Sequence, residues 1–227
     1  MFRDRSKLTQ TVLWLLGAYL VTSCWGVISD ILQLLFLRGV ESGTWTGDIM
    51  AAADANDIRQ QFSGYLTLAA FVVSGIASLV WTHRASSNAR HLADYPQRIS
   101  PGWAVGWYFV PIANLWKPYQ SMAEIWRRSA FPPSVSGPAA LGWWWALWII
   151  GNITSQVALR ASLAIDDLQS GYFATWALIV ADALEIPTTL LYAWIINRVW
   201  QMQSAKALWL ETRSFADSND FEYPTAD

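Results

Sequence analysis

Apolar residues run without a period of two through four stretches: about Leu8 to Leu37, Tyr65 to Trp81, Ala139 to Leu159 and Tyr172 to Ile196. A spanning helix needs about 20 mostly apolar residues, whereas a membrane barrel would show strict alternation. The pattern predicts four transmembrane helices. The first is longer than a bilayer requires, so it tilts or protrudes. The second is short and begins nearer Phe62. A fifth apolar stretch, SPGWAVGWYFVPIANLWKPY from Ser100 to Tyr119, is broken by Gly102, Gly106, Pro111 and Pro118 and carries basic residues at both ends. It predicts a dip into one face of the bilayer rather than a crossing.

Charge placement orients these spans. Arg3, Arg5 and Lys7 precede the first, and Arg84, Arg90 and Arg98 follow the second. Lys117, Arg127 and Arg128 precede the third, and Arg198, Lys206 and Arg213 follow the fourth. That places 12 of the 15 basic residues on one side, with Arg38, Arg59 and Arg160 in the two acidic connections. The bias predicts cytoplasmic N- and C-termini. A fifth crossing between Trp103 and Trp116 would put Lys117, Arg127 and Arg128 outside and Asp166 and Asp167 inside, against the bias, so a cytoplasmic-side re-entrant segment is expected.

Composition agrees: 54% of residues are apolar and 14% charged, against about 25% charged in a soluble domain. The single Cys24 excludes an intramolecular disulfide and a cysteine zinc site. Val21-Thr22-Ser23-Cys24 resembles a lipoprotein cleavage box, but the apolar run continues to Leu37, as a spanning helix requires. His83 and His91 lie in a polar stretch, which argues against a haem held between helices. No phosphate loop, dinucleotide fingerprint, zinc-protease helix or nucleophile elbow is present. No catalytic residue, metal or cofactor is expected. Bound lipid is allowed for, and nucleic acid is not a partner.

Beyond Trp81 the second helix is expected to continue to about Ala93, with Arg84, Asn88 and His91 as a polar stripe. The stripe is either a solvated helix end or a set of donors for an anionic group. Pro118 suits a first helical turn. Tyr119, Met122, Ile125 and Trp126 then share a face, flanked by Lys117, Arg127 and Arg128. This predicts an amphipathic helix in the inner interface, although a helix packed under the bundle explains the pattern equally well. Ten of 16 Trp (Trp81, Trp103, Trp107, Trp116, Trp126, Trp143, Trp144, Trp145, Trp200 and Trp209) would form a cytoplasmic-side belt.

These residues resemble a bacterial multi-spanning membrane family, domain of unknown function 4328. The resemblance rests on Trp81, Arg84, Asn88 and Leu92 and on Ser100-Pro101-Gly102-Trp103-Ala104-Val105-Gly106-Trp107. It continues through Pro111, Asn114, Leu115, Lys117, Pro118 and Tyr119 to Glu124, Ile125, Trp126 and Ser129, and covers about residues 62–205. It implies a bacterial membrane location and no activity. Within the motif, Gly102 and Gly106 permit close backbone approach, Pro111 bends the chain, and Asn114 can satisfy backbone groups at the break.

Acids inside the spans are the remaining candidates. Asp182 and Glu185 lie three residues apart on one face of the fourth span. Glu185 sits about 20 Å below Tyr172 at helical rise, near mid-bilayer. Asn152 reaches a similar depth, and Asp30 lies in the outer part of the first span, where it reaches the interface or pairs with Arg160. A charge at the bilayer centre costs at least about 2.5 kcal/mol, so these groups face inward, pair, or stay protonated. They either line a polar cavity, with Thr188 or Thr189, or fix helix register by hydrogen bonds.

The expectation is an all-α integral membrane four-helix bundle over 1–200, with a re-entrant segment, an amphipathic interfacial helix and an acidic cytoplasmic tail over 201–227. The leading functional expectation is a non-enzymatic accessory or assembly subunit of the bacterial inner membrane. It would contact lipid and form a homo-oligomer or join a larger complex. The alternative is a small transporter or channel for protons or cations.

Overall fold

The computed structural model describes residues 6–93, 96–130 and 138–219, with backbone alone from 216. All regular elements among them are helical: α1 Ser6–Glu41, α2 Ile49–His91, α3 Pro101–Gly106, α4 Lys117–Ser129, α5 Ala139–Ser162 and α6 Leu168–Asn219. Two short 3-10 turns, Trp107–Phe109 and Ala113–Leu115, separate α3 from α4. Arg3, Arg5 and the acidic residues from Asp220 onward lie outside the described residues.

Three helices are long and apolar enough to cross a membrane: α1, α2 and the Leu168–Phe215 part of α6. The expected third span, α5, is 24 residues long. Its hydropathy is lowered by Trp143, Trp144, Trp145 and Trp148 and by Asn152, Ser155 and Gln156.

Helix ends follow local chemistry. Asp48 Oδ1 accepts the Met50 and Ala51 N–H groups at 2.9 and 3.2 Å and so caps α2. This start lies well before Phe62, because Asn56, Arg59 and Gln60 turn their polar groups to Gln33, Ser29 and Asp30 of α1. Gly43, at φ +64°, closes the C-terminal end of α1. At the start of α6, Asp167 Oδ1 accepts the Ser170 N–H at 2.7 Å, which holds the Asp167 carboxyl below its usual range. Pro187 lies inside α6 without ending it. The helix runs to Asn219, so the part of the expected acidic tail up to that residue is helical.

The chain divides into two compact units. Unit 1 takes 1–10, 79–141 and 194–227; unit 2 takes 11–78 and 142–193. Within unit 2, Tyr19 of α1 meets Phe71 of α2 at 5.8 Å between ring centroids. Trp144 of α5 stacks on Tyr192 of α6 at 4.9 Å. Within unit 1, α3 packs on α4, and Trp126 of α4 stacks on Trp194 at 5.8 Å.

Candidate functional site

The proline- and glycine-broken apolar motif folds into unit 1 as a short, tightly turned hairpin. Ser100 caps α3, its hydroxyl accepting the Trp103 N–H at 3.4 Å, and Pro101 occupies the first turn. Pro111 keeps Val110 extended. Ile112 then takes φ +66° and the Ala113 N–H reaches the Pro111 carbonyl at 2.7 Å, a three-residue turn unfavourable for a β-branched residue. The break is closed by backbone, with the Asn114 N–H donating to Val110 at 3.0 Å. Trp103 stacks on Trp107 at 4.4 Å, and Lys117 Nζ stands 5.4 Å from the Trp107 ring centre. A side chain at Gly106 would press on the Trp103 ring, whereas Gly102 faces open space. Trp103, Phe109, Ile112, Leu115 and Trp116 are exposed.

The expected interfacial helix, α4, is enclosed by its own chain. Pro118 and Met122 are buried, as are all residues from Ser121 to Trp126, while Tyr119 is half-buried. Arg128, expected at lipid headgroups, is 1% exposed. Its Nε donates to the Ala89 carbonyl at 3.1 Å and its Nη2 to Arg90 and Ala93 at 3.5 Å, capping α2 where helix carbonyls lack partners. Glu124 accepts the Arg98 and Ile99 N–H groups at 2.7 and 3.1 Å, fixing the entry to α3. Gln203 Nε2 donates to Ala85 O and Ser129 Oγ, both at 2.9 Å, and its Oε1 accepts from Asn88. Lys206 donates to Arg128 O at 2.9 Å. Asn88 is thus buried and engaged, while Arg84 is exposed, so the predicted stripe does not present one set of donors. The Trp belt is likewise divided. Trp81, Trp126, Trp144 and Trp145 are buried, and Trp81 donates to Thr9 Oγ1 at 3.1 Å.

Unit 2 contains a cavity of about 630 Å³. All four predicted intramembrane polar residues line it: Asp30, Asn152, Asp182 and Glu185. Asp182 and Glu185, one helical turn apart, are half-buried. Glu185 accepts a hydrogen bond from the Tyr19 hydroxyl. Asp182 directs its carboxylate at Gly26 of α1, where a Cβ would collide with it. Asn152 is exposed in the cavity wall and donates to the Trp148 carbonyl at 2.8 Å.

Asp30 is 4% exposed. Its Oδ1 accepts from Gln60 Nε2 at 3.2 Å, and Arg59, rather than Arg160, is the nearby cation. Its Oδ2 is buried with no hydrogen-bond partner. Arg59 is itself committed, donating to the Ser29 carbonyl at 3.1 Å and to Asn56 Oδ1. Thr188 and Thr189 are buried, and Thr188 bonds back to Leu184 O at 2.7 Å; neither lines the cavity.

The structure adds Tyr19, Gln60, Asp57 and Gln156 to the lining. Tyr19 reads as a core aromatic in sequence. Asp57 and Gln60 fall in what reads as a connection, although their spacing of three would have placed them on one helical face. Among the described residues no three acids, His or Cys are gathered for one metal ion.

No curated protein and no solved structure matches the chain. The family model described as "Domain of unknown function (DUF4328)" matches residues 47–201, starting at the capped end of α2. That match spans more than half the sequence and takes in both the hairpin motif and most of the cavity wall, so the chain belongs to the DUF4328 family.

Proposed function

We propose that this is a bacterial inner-membrane protein that binds and passes a proton or small cation through the unit 2 cavity. One observation carries the reading: four separately predicted polar residues, three of them acids, line a single roomy cavity within apolar helices. Packed acids serving only helix register would leave no such space. Ionisable groups held inside membrane helices mark ion pathways when they face a cavity. In this reading α1, α2, α5 and α6 form a four-span bundle with both termini cytoplasmic. The α3–α4 hairpin, with no helix of spanning length between 101 and 116, dips into the inner leaflet. The decisive experiment is flux in liposomes. Glu185→Gln should abolish proton or cation flux, and flux at the wild-type rate would overturn the proposal. A C-terminal reporter found in the periplasm would overturn the topology.

A second reading, an accessory or assembly subunit, is favoured by the exposed aromatic tip Trp103, Phe109, Ile112 and Trp116. That surface would contact lipid, a second copy or a larger membrane complex. Crosslinking in native membranes should then yield adducts from Phe109 substituted by a photoreactive residue. A lone monomer with no adduct would remove this reading.

A further inference from the structure

We infer that the cavity in unit 2 takes a linear aliphatic amine carrying two or more ammonium groups. The inference rests on the cation-handling reading of the same cavity and names its ligand class. The acids are strung along α1 rather than gathered at a point. Glu185 is held at the level of Tyr19, the Asp182 carboxylate at Gly26, and Asp30 lies one turn further on. Tyr19 and Asp30 are separated by roughly 16 Å of helix rise. A single inorganic ion cannot answer charges so distributed, and no three of these groups are placed to ligate one metal.

Asp30 supplies the independent sign of a missing donor. A carboxylate oxygen that is deeply buried and unpartnered is costly. An ammonium N–H satisfies it, whereas a quaternary ammonium has no hydrogen to give. The volume of about 630 Å³ exceeds what a bare cation needs and falls within the roughly 300–1,000 Å³ usual for small-molecule sites. Leu68, Phe71, Leu178 and Trp148 supply apolar wall for a methylene chain between charges. Among the described residues no Lys, Arg or His lines the cavity. Arg59 lies near Asp30 but is bonded to Ser29 and Asn56.

The test is isothermal titration of the full-length protein in detergent with spermidine, butylamine and tetramethylammonium. Spermidine should bind at least about tenfold more tightly than either monovalent cation. Asp30→Asn should weaken spermidine by about tenfold and leave butylamine little changed. Wild-type protein that binds spermidine no better than butylamine overturns the inference, and this comparison does not depend on any variant folding. Glu185-dependent proton or sodium flux without spermidine binding would sink this ligand class and leave the proposed function standing. Spermidine binding without flux of any cation would do the reverse.

Discussion

Both units bury many polar side chains, but they complete them differently. In unit 1, Arg128, Glu124, Gln203 and Lys206 each meet backbone carbonyls or N–H groups at hydrogen-bond distance. Their partners are the loose ends of helices and loops, so the network ties α2, α4 and the distal part of α6 into one body. In unit 2, Asp30 keeps an oxygen without a partner, and Asp182 and Glu185 face a cavity. The difference separates two uses of buried polarity. The two differ in what the buried groups face: a network spent on backbone stabilises and has little left to offer a ligand, even where a single atom such as Trp200 Nε1 lacks a hydrogen-bond partner, whereas acids that face a cavity are available for binding.

The comparison breaks most readily at Arg128. Replacing it with Met removes a charged donor and strands the buried Ala89 carbonyl, while the part-buried carbonyls of Arg90 and Ala93 lose a long bond each. We expect a loss of about 3 kcal/mol, read as a lowered unfolding midpoint in detergent, while spermidine binding by the surviving folded protein is retained. An unchanged midpoint would mean that the cap at the end of α2 is not holding unit 1 together. Glu124→Gln is the milder version. Its amide can accept only one of the two N–H bonds from Arg98 and Ile99, so about 1–2 kcal/mol should be lost. A loss as large as that of Arg128→Met would show that the two sites are not graded by the bonds they make.

Asp30→Asn moves unit 2 in the other direction. The amide keeps an acceptor for Gln60 and removes a buried charge whose second oxygen is unpartnered. Stability should hold or rise by up to about 1 kcal/mol, while spermidine binding falls. A marked loss of stability would make Asp30 a structural group like Glu124 and erase the contrast between the units.

The sequence was legible where a single helix had to declare itself and less so where helices met. The helical class, the break near Pro111 and the acids of α6 follow from hydropathy, proline chemistry and spacing. Arg128 shows the limit. In sequence it is one of several basic residues beside an apolar face, and burial against the end of α2 depends on a contact 39 residues away. The first part of α2 was hidden for a related reason: Asn56, Arg59 and Gln60 look like a solvated connection until Ser29 and Gln33 of α1 are seen to receive them. Tyr19 gave no sign of its role, because only the approach of α6 brings Glu185 to its hydroxyl.

Gly26→Ala offers the smallest and sharpest perturbation. A Cβ at this position has no room beside the Asp182 carboxylate. Relief is cheap, because the obstructing atom is the end of a short rotatable side chain and not backbone. Replacing a mid-helix glycine by alanine also favours the helix by up to about 1 kcal/mol, so the unfolding midpoint should stay level or rise slightly. The carboxylate, however, must leave its position on α1. If the distributed acids define the site, spermidine affinity should fall by several-fold, about 0.5–1.5 kcal/mol, with no loss of stability to explain it. Unaltered binding in a protein of equal stability would show that the middle acid takes no part in recognition, and that Asp30 and Glu185 act without it.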